Sequence, residues 1–477
     1  MAKCAFGKVS ILGTFEPLMQ PGTELFCRLV YLENDDTRVL LAALDTSCAS
    51  RSAALRFRNY VSEHTGIPAD NIWFHELQIH AAPESPQMEE AVLPIAKRVV
   101  QETLAMMERA VPYTCRVAEC DMGTRFSMNR EQYVEGLGGV TVWAGILFDE
   151  KGTPYCNDPD RMLLDGYQPN LPVFEKPIYF DNTTDSKAYL FVFRDLDGKV
   201  IGTLSRFAAH PDVAVLFESH DVHDCYHYHY DWTGVLSTRL EQVFQAPSLY
   251  LNGPCGDLAT KKAWFNTDTY EASDAECKRI GEEIAKELLD RYEKKTVALG
   301  DPDHLRAARF DIDVPLRDSF PRTYQDETLP AQIEAAEKAR QDAVQNDAPA
   351  YLVKRLTDDA IRTNHNLYVA RDQCVFTEEE LNGRVITNTV SALQLGDYLF
   401  VGVPGESLVD MTMWLRSTFT GVKTIPVDQV NGYCGYMATP RTLTLGGYTY
   451  WSSWLGRDSI PTLKEGIVKA MDEWLDE

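Results

Sequence analysis

The order of apolar runs in the first eighty or so residues constrains the fold more than any other feature of the chain. FCRLVYL and RVLLAALDTS are β-branched or apolar runs of strand length. SRSAALRFRNYVSEHTG carries an amphipathic helical pattern that stops at Gly66, and NIWFHELQIH returns to a strand. Strand, strand, helix, strand with a short link after Gly66 predicts a βαβ unit whose second and third strands lie parallel. Asp45 and the segment 75–80 then fall at strand carboxyl ends, where α/β sheets place their ligands.

The rest of the chain extends this pattern. A long helix is expected from 88 to about 110, and the segments 178–193 and 200–209 flank DLDGK, whose Asp-Gly turn predicts a hairpin. Ser273 with Glu276 reads as a capping box opening a helix to about 294, and Thr377 with Glu380 as another whose helix ends near Gly383. PAQIEAAEKARQDAVQN has few apolar positions and reads as part of a solvated helical excursion at about 325–365. VSALQLGDYLFVGVPGE is a strand pair feeding a Pro-Gly turn, and TLKEGIVKAMDEWLDE an amphipathic helix. No internal repeat or low-complexity linker is visible. With 44% hydrophobic residues in 477, the chain can bury the core of one large α/β unit spanning 1–477, a mixed sheet flanked by helices.

Charge narrows the partners. Asp and Glu number 71 against 46 Lys and Arg, a formal charge of -25 that opposes nucleic acid and anionic membrane surfaces. MAKCAFGKVSILG lacks the apolar run of a secretory signal, and no window approaches the roughly 18 apolar residues of a membrane span, so no membrane insertion and a cytoplasmic location are expected. Eleven scattered cysteines without a CxxC pair support neither a disulfide framework nor a thiolate zinc site. A homo-oligomer stays open.

Residues able to ligate or move protons sit at strand-to-turn junctions: Gln78 and His80, His210 before Pro211, Asp257 in NGPCGD, Glu406 in VPGE, and Tyr433, Tyr436 and Tyr448. Two imidazoles and a carboxylate suit a catalytic zinc with one position left for water. The same residues also read as structural. A histidine ending a strand commonly hydrogen-bonds its neighbours, and Glu406 could cap the helix it precedes. NGPCGD is no phosphate loop, because no Lys-Ser or Lys-Thr follows at the required spacing. Five of the ten histidines lie in FAAHPDVAVLFESHDVHDCYHYHYDWTG, where alternation puts His227 and His229 on one face and Tyr226, Tyr228 and Tyr230 on the other.

Taken in order, RVLLAALDTS, TGIPADNIWFHELQIHAAP, FAAHP, DWTG, LNGPCGD, VPGES and NGYCGYMATP resemble the catalytic domain of the neutral ceramidases, metal-dependent amidases that cleave a fatty acyl amide. The likeness runs from near the N-terminus almost to the end and is closer to bacterial members of undetermined activity than to true ceramidases. It implies one α/β catalytic domain without the immunoglobulin-like C-terminal domain. It implies, too, a zinc whose ligand positions fall on Gln78, His210, Glu406 and Tyr436. Gln is a poor zinc ligand beside imidazole. The family's second histidine falls on His80, and its serine on Ala259, which can do no nucleophilic work. Arg130 in MNRE matches a substrate-binding arginine, Tyr448 a second tyrosine able to donate to an oxyanion, and Asp257 lies in the same catalytic group.

Three readings follow. A divalent metal, zinc by family, is held by His210, Glu406 and Tyr436 and activates water against an amide or ester, with His80 as base. Alternatively the metal is lost and His and Tyr run isomerase or lyase chemistry, or the protein is an inactive binding module. Gln78, His227, His229, Asp231 and Tyr433 read as a polar lining, which points to a small polar substrate rather than ceramide.

Overall fold

The computed structural model describes the chain outside residues 16–19, 86, 135, 137, 142–145, 149–153, 157–177, 180–182, 215–226, 262–269, 373–374 and 477. The large mixed sheet is built from β1 (Lys3–Ser10), β2 (Phe26–Glu33), β3 (Arg38–Leu44), β4 (Ile72–Glu76), β5 (Val111–Asp121), β6 (Lys187–Asp195), β7 (Val200–Phe207) and β8 (Ser248–Asn252). Its spatial order is β8-β7-β6-β5-β1-β2-β3-β4. Only the two outermost pairs, β3 with β4 and β7 with β8, are parallel.

The β5 to β1 junction consists of two residue pairs, Lys3 with Pro112 and Cys4 with Val111. Such a short seam lets the sheet fold there, so its two halves stack face to face. Phe6 of β1 lies with its ring 5.1 Å from that of Phe193 of β6. Gly202 of β7 makes the room, since a Cβ there would come within 2.1 Å of the Phe6 ring. Helices α1 (Arg51–Thr65) and α2 (Gln87–Arg109) cover one outer face, and α3 (Asp231–Phe244) and α4 (Tyr270–Lys294) the other.

The α1 boundaries follow from local chemistry. Ser50 accepts the Ala53 amide at the start, and Gly66, at φ 74, closes the end by donating to Ser62. The expected helix cap at Ser273 is different: α4 begins at Tyr270, so Ser273 lies inside it. The Thr377 and Glu380 capping box is present at Glu378–Gly383.

A second sheet pairs β9 (Leu305–Pro315), β10 (Val385–Leu395), β11 (Tyr398–Gly402) and β12 (Lys423–Val427) in that order. The excursion forms two packed helices, α5 (Leu329–Gln345) and α6 (Ala350–Asp372). Only Leu329 and Ala343 of α5 are buried, which its polar pattern predicted. Further on come α7 (Val409–Thr418) and α8 (Ser459–Asp476), the latter against β9.

A repeat invisible in the sequence emerges here. A hairpin, a helix and a strand parallel to the second hairpin strand recur three times: β2-β3-α1-β4, β6-β7-α3-β8 and β10-β11-α7-β12. Among the described residues, no helix is long and apolar enough to cross a membrane.

Candidate functional site

The three repeated units meet at the carboxyl ends of their last strands. The Asn252 amide ending β8 donates to His75 Nε2 on β4 at 3.0 Å, and the Asp428 amide after β12 donates to the Asn252 carbonyl at 3.0 Å. Burial pulls His75 down to about 4, so its ring is a neutral acceptor. The chain then turns sharply, with Gln78 (φ 63), Gln429 (φ 44) and Asn431 (φ 67) in the left-handed region. Gly405, at φ 66, is required for a further reason: a Cβ would lie 2.5 Å from Cys434 Sγ.

These turns bring His210, Glu406, Gln78, Tyr433, Tyr436 and Arg130 together. His210 directs Nδ1 to the Cys255 carbonyl at 2.7 Å, which makes Nδ1 the protonated nitrogen and Nε2 the lone-pair nitrogen. That Nε2 lies 3.6 Å from Glu406 Oε2. Glu406 Oε1 accepts the Tyr433 hydroxyl at 2.9 Å, and Tyr436 and Gln78 also donate to this carboxylate. Among the described residues its Oε2 is buried without a hydrogen-bond partner. Burial raises the Glu406 carboxyl above its ordinary range, although Tyr436, Arg130, Tyr433 and Gln78 work against that.

Arg130 lies fully buried behind the tyrosines. It donates to the Gly256 carbonyl through Nε and Nη2 at 3.1 and 2.6 Å, and to the Tyr436 hydroxyl at 2.9 Å. Burial opposes its charge, but the neighbouring Tyr436, Tyr448, Glu406 and Asp212 outweigh that and hold it above its ordinary range. The Tyr448 ring packs 5.0 Å from Tyr436, and the His80 ring lies 5.2 Å from His210. His80 and Tyr448 are the half-exposed members and form the rim.

The remaining expected positions lie elsewhere. Asp257 Oδ1 accepts the Val409 amide at 2.8 Å, capping α7, and Oδ2 accepts Asn129 at 3.0 Å. The cap foreseen for Glu406 is therefore supplied by Asp257. Burial pushes Asp257 up to about 7. It lines a cavity of about 90 Å3 together with Asn129 and Arg441, which neither His210 nor Glu406 lines. Asp231 accepts the Val213 and Ala214 amides, each at 2.9 Å, and the Trp232 amide at 2.6 Å, so its carboxylate shapes the turn after His210 rather than facing a ligand. His229 is buried, with Nε2 3.2 Å from Asp274 of α4 and Nδ1 accepting the Asp231 amide; Tyr228 is buried too. His229, expected in the polar lining of the cleft mouth, thus occupies an interior hydrogen-bonded position. His227 pairs with Gln20, but its side chain, like His220 and His223, lies outside the described residues. Asp45, at its strand end, is spent on a buried ion pair with Arg28 at 2.7 Å.

Sequence reasoning missed Asp428 and Cys255. Asp428 accepts the Ser407 amide at 3.0 Å and the Cys255 amide at 3.4 Å, clamping the two loops beside His210 and Glu406. It follows directly on β12, a strand that the sequence reading did not pick out, so the strand-end rule that selected the other candidates could not reach it. The Cys255 contribution is a backbone carbonyl, for which no sequence signal exists.

A divalent cation fits this donor set in part. Two ligands about 2.1 Å from a tetrahedral ion stand roughly 3.4 Å apart, close to the 3.6 Å between His210 Nε2 and Glu406 Oε2. Tyr436 is the third donor at hand. Gln78 Oε1 accepts the Cys255 thiol at 3.3 Å and its amide donates to Glu406, so it offers a donor where a ligand is needed. Among the described residues, no three His, Cys, Asp or Glu side chains converge as a metal site.

The mixed α/β fold is similar to that of the neutral ceramidases. Two solved structures share it: a neutral ceramidase from Pseudomonas aeruginosa and a ceramidase complexed with C2, each with a TM-score of 0.63 and 12% identity. The first match covers 98% of this chain and 73% of the other, the second 99% and 75%. No protein-family model and no curated protein matches the sequence.

Proposed function

We propose that the buried cluster is the centre of a metal-dependent hydrolase acting on an amide or ester bond of a small polar substrate. His210, Glu406 and Tyr436 would hold the divalent ion, zinc by donor chemistry. The observation that carries this reading is the facing pair itself: imidazole Nε2 and carboxylate Oε2 lie 3.6 Å apart, and among the described residues the carboxylate oxygen is buried with no hydrogen bond. Such an ion, when bound, polarises a carbonyl and makes water acidic enough to attack near neutral pH.

The protein groups divide the remaining work. The Cys255 carbonyl keeps the proton on His210 Nδ1, so the ring offers its lone pair to the pocket. Gln78, Tyr433 and Tyr436 fix the rotation of the Glu406 carboxylate. Arg130 keeps its charge against the Tyr436 oxygen. His80, half-exposed at the rim, is the base for the attacking water, and Tyr448 donates to the oxyanion. Burial of the centre, with polar groups nearly throughout, favours a small polar substrate over a long acyl chain.

Gln78 in the place of an imidazole favours a second reading, in which His and Tyr run acid/base chemistry without a metal. Elemental analysis of protein purified without chelator separates the two. About one divalent ion per chain, lost together with turnover in His210→Ala and Glu406→Ala, is the expected result. Turnover of an ester or amide by protein holding under a tenth of an equivalent would sink the metal reading.

A further inference from the structure

Helix α5 starts beside a cavity that the proposed hydrolytic centre does not use. It has a volume of about 240 Å3, and its lining includes Arg317, Ser319, Gln332, Asp359, Arg362 and Tyr450. Paired guanidiniums on one small cavity are notable in a chain of net charge -25.

Arg317 is only 7% exposed. Its Nη1 donates to the Ser453 carbonyl at 3.1 Å and its Nη2 to the Arg362 carbonyl at 3.2 Å. Arg362 reaches Ser453 and Leu455 carbonyls only at 3.5 and 3.4 Å, and its guanidinium lies 4.3 Å from the Tyr450 ring centre. Among the described residues the Nε of each arginine is buried with no hydrogen-bond partner. Burial first, and then each other's proximity, holds Arg317 well below the usual arginine range, as expected when a counter-charge is lacking.

Asp359 does not supply that charge fully, since it also accepts the Tyr450 hydroxyl and lies 3.6 Å from Arg355 Nε. Arg384 adds positive charge nearby, donating to the Phe320 and Arg317 carbonyls. Leu329 and Gln332 bring the N-terminus of the 17-residue α5 to the cavity, with no acidic residue in the first turn and no side-chain cap from Thr328. The helix dipole adds to the attraction for an anion.

We propose that this cavity binds a small oxyanion, a phosphate or carboxylate group, gripped by Arg317 and Arg362 at the N-terminus of α5. The Ser453 carbonyl accepts from both arginines while its hydroxyl donates to the Tyr436 carbonyl at 2.7 Å, so the anion would lie close to the loop carrying Tyr436. The proposal is independent of the hydrolytic reading.

The test is the thermal unfolding midpoint of the full chain titrated with inorganic phosphate or with succinate, against sodium chloride at matched ionic strength. A saturable rise beyond the chloride control is expected in the wild type and in His210→Ala, with phosphate alone or succinate alone assigning the source of the oxyanion. Arg362→Gln should raise the apparent Kd about tenfold or more, as losing a charged hydrogen-bond donor does. Should that variant not fold, Arg362→Lys keeps the charge without the planar fork and should still weaken binding. No rise beyond chloride, an unchanged Kd in the Arg362 variant that folds, or a rise that disappears in His210→Ala would overturn the proposal.

Discussion

Cys255 shows how a residue can serve a centre without its side-chain chemistry. Its carbonyl orients His210, while burial raises the thiol well above its ordinary value, so it is no nucleophile. Cys255→Ala keeps the carbonyl and loses the thiol contacts to Gln78 and Asn252. It should therefore retain most turnover, within about threefold in kcat/KM for the loss of two long, neutral thiol hydrogen bonds; a loss beyond a hundredfold would place the thiol in the chemistry. Gln78 and His80 illustrate the limit of reading at this scale. Their position at a strand end was legible, but the left-handed turn that aims Gln78 at Glu406 depends on its neighbours.

Elements carry two further predictions. Thr377 accepts the Glu380 amide while Glu380 returns to the Thr377 amide, so Thr377→Ala should cost about 1 kcal/mol in urea unfolding. No change beyond error would remove the cap from the stability of that helix. Glu76, at the end of β4, is pushed up to about 8 by burial, against hydrogen bonds from Ala49 and Thr46. A carboxyl with its folded value above its unfolded one holds its proton more tightly in the native state. That contribution is complete below about pH 4 and is lost as pH rises through about 8, at roughly 1.4 kcal/mol per pH unit within the window. Asp257, pushed up to about 7, acts in the same direction. The wild-type urea midpoint should therefore fall between pH 5 and pH 8.5 more steeply than that of Glu76→Gln, and parallel slopes would refute the assignment.

At the scale of the whole molecule, Asn431 ties the repeated units together. Its side chain accepts the Phe74 amide of β4 at 3.0 Å and donates to the Ser391 hydroxyl of β10 at 2.8 Å, just before Tyr433 and Tyr436. Asn431→Ala leaves the buried Phe74 amide without its partner and puts at φ 67 a residue that tolerates the left-handed region less well than asparagine. Stability should drop by about 2–4 kcal/mol, and kcat should fall with it, since the same loop carries two groups of the centre. Wild-type stability with wild-type turnover in this variant would show that the junction is not what holds the centre.

The sequence by itself determined the elements. Apolar spacing, the glycine after α1, the Asp-Gly turn and the Thr377 box are local signals, and the parallel β3 and β4 follow from chain connectivity. Tertiary structure alone decided the rest: the fold at the two-pair seam, the threefold recurrence of hairpin, helix and strand, and the convergence of residues as distant as Gln78, Arg130, His210 and Glu406. Convergence depends on how sheets stack and where backbone carbonyls and amides end up. Those are long-range packing outcomes that leave no periodic trace in the chain.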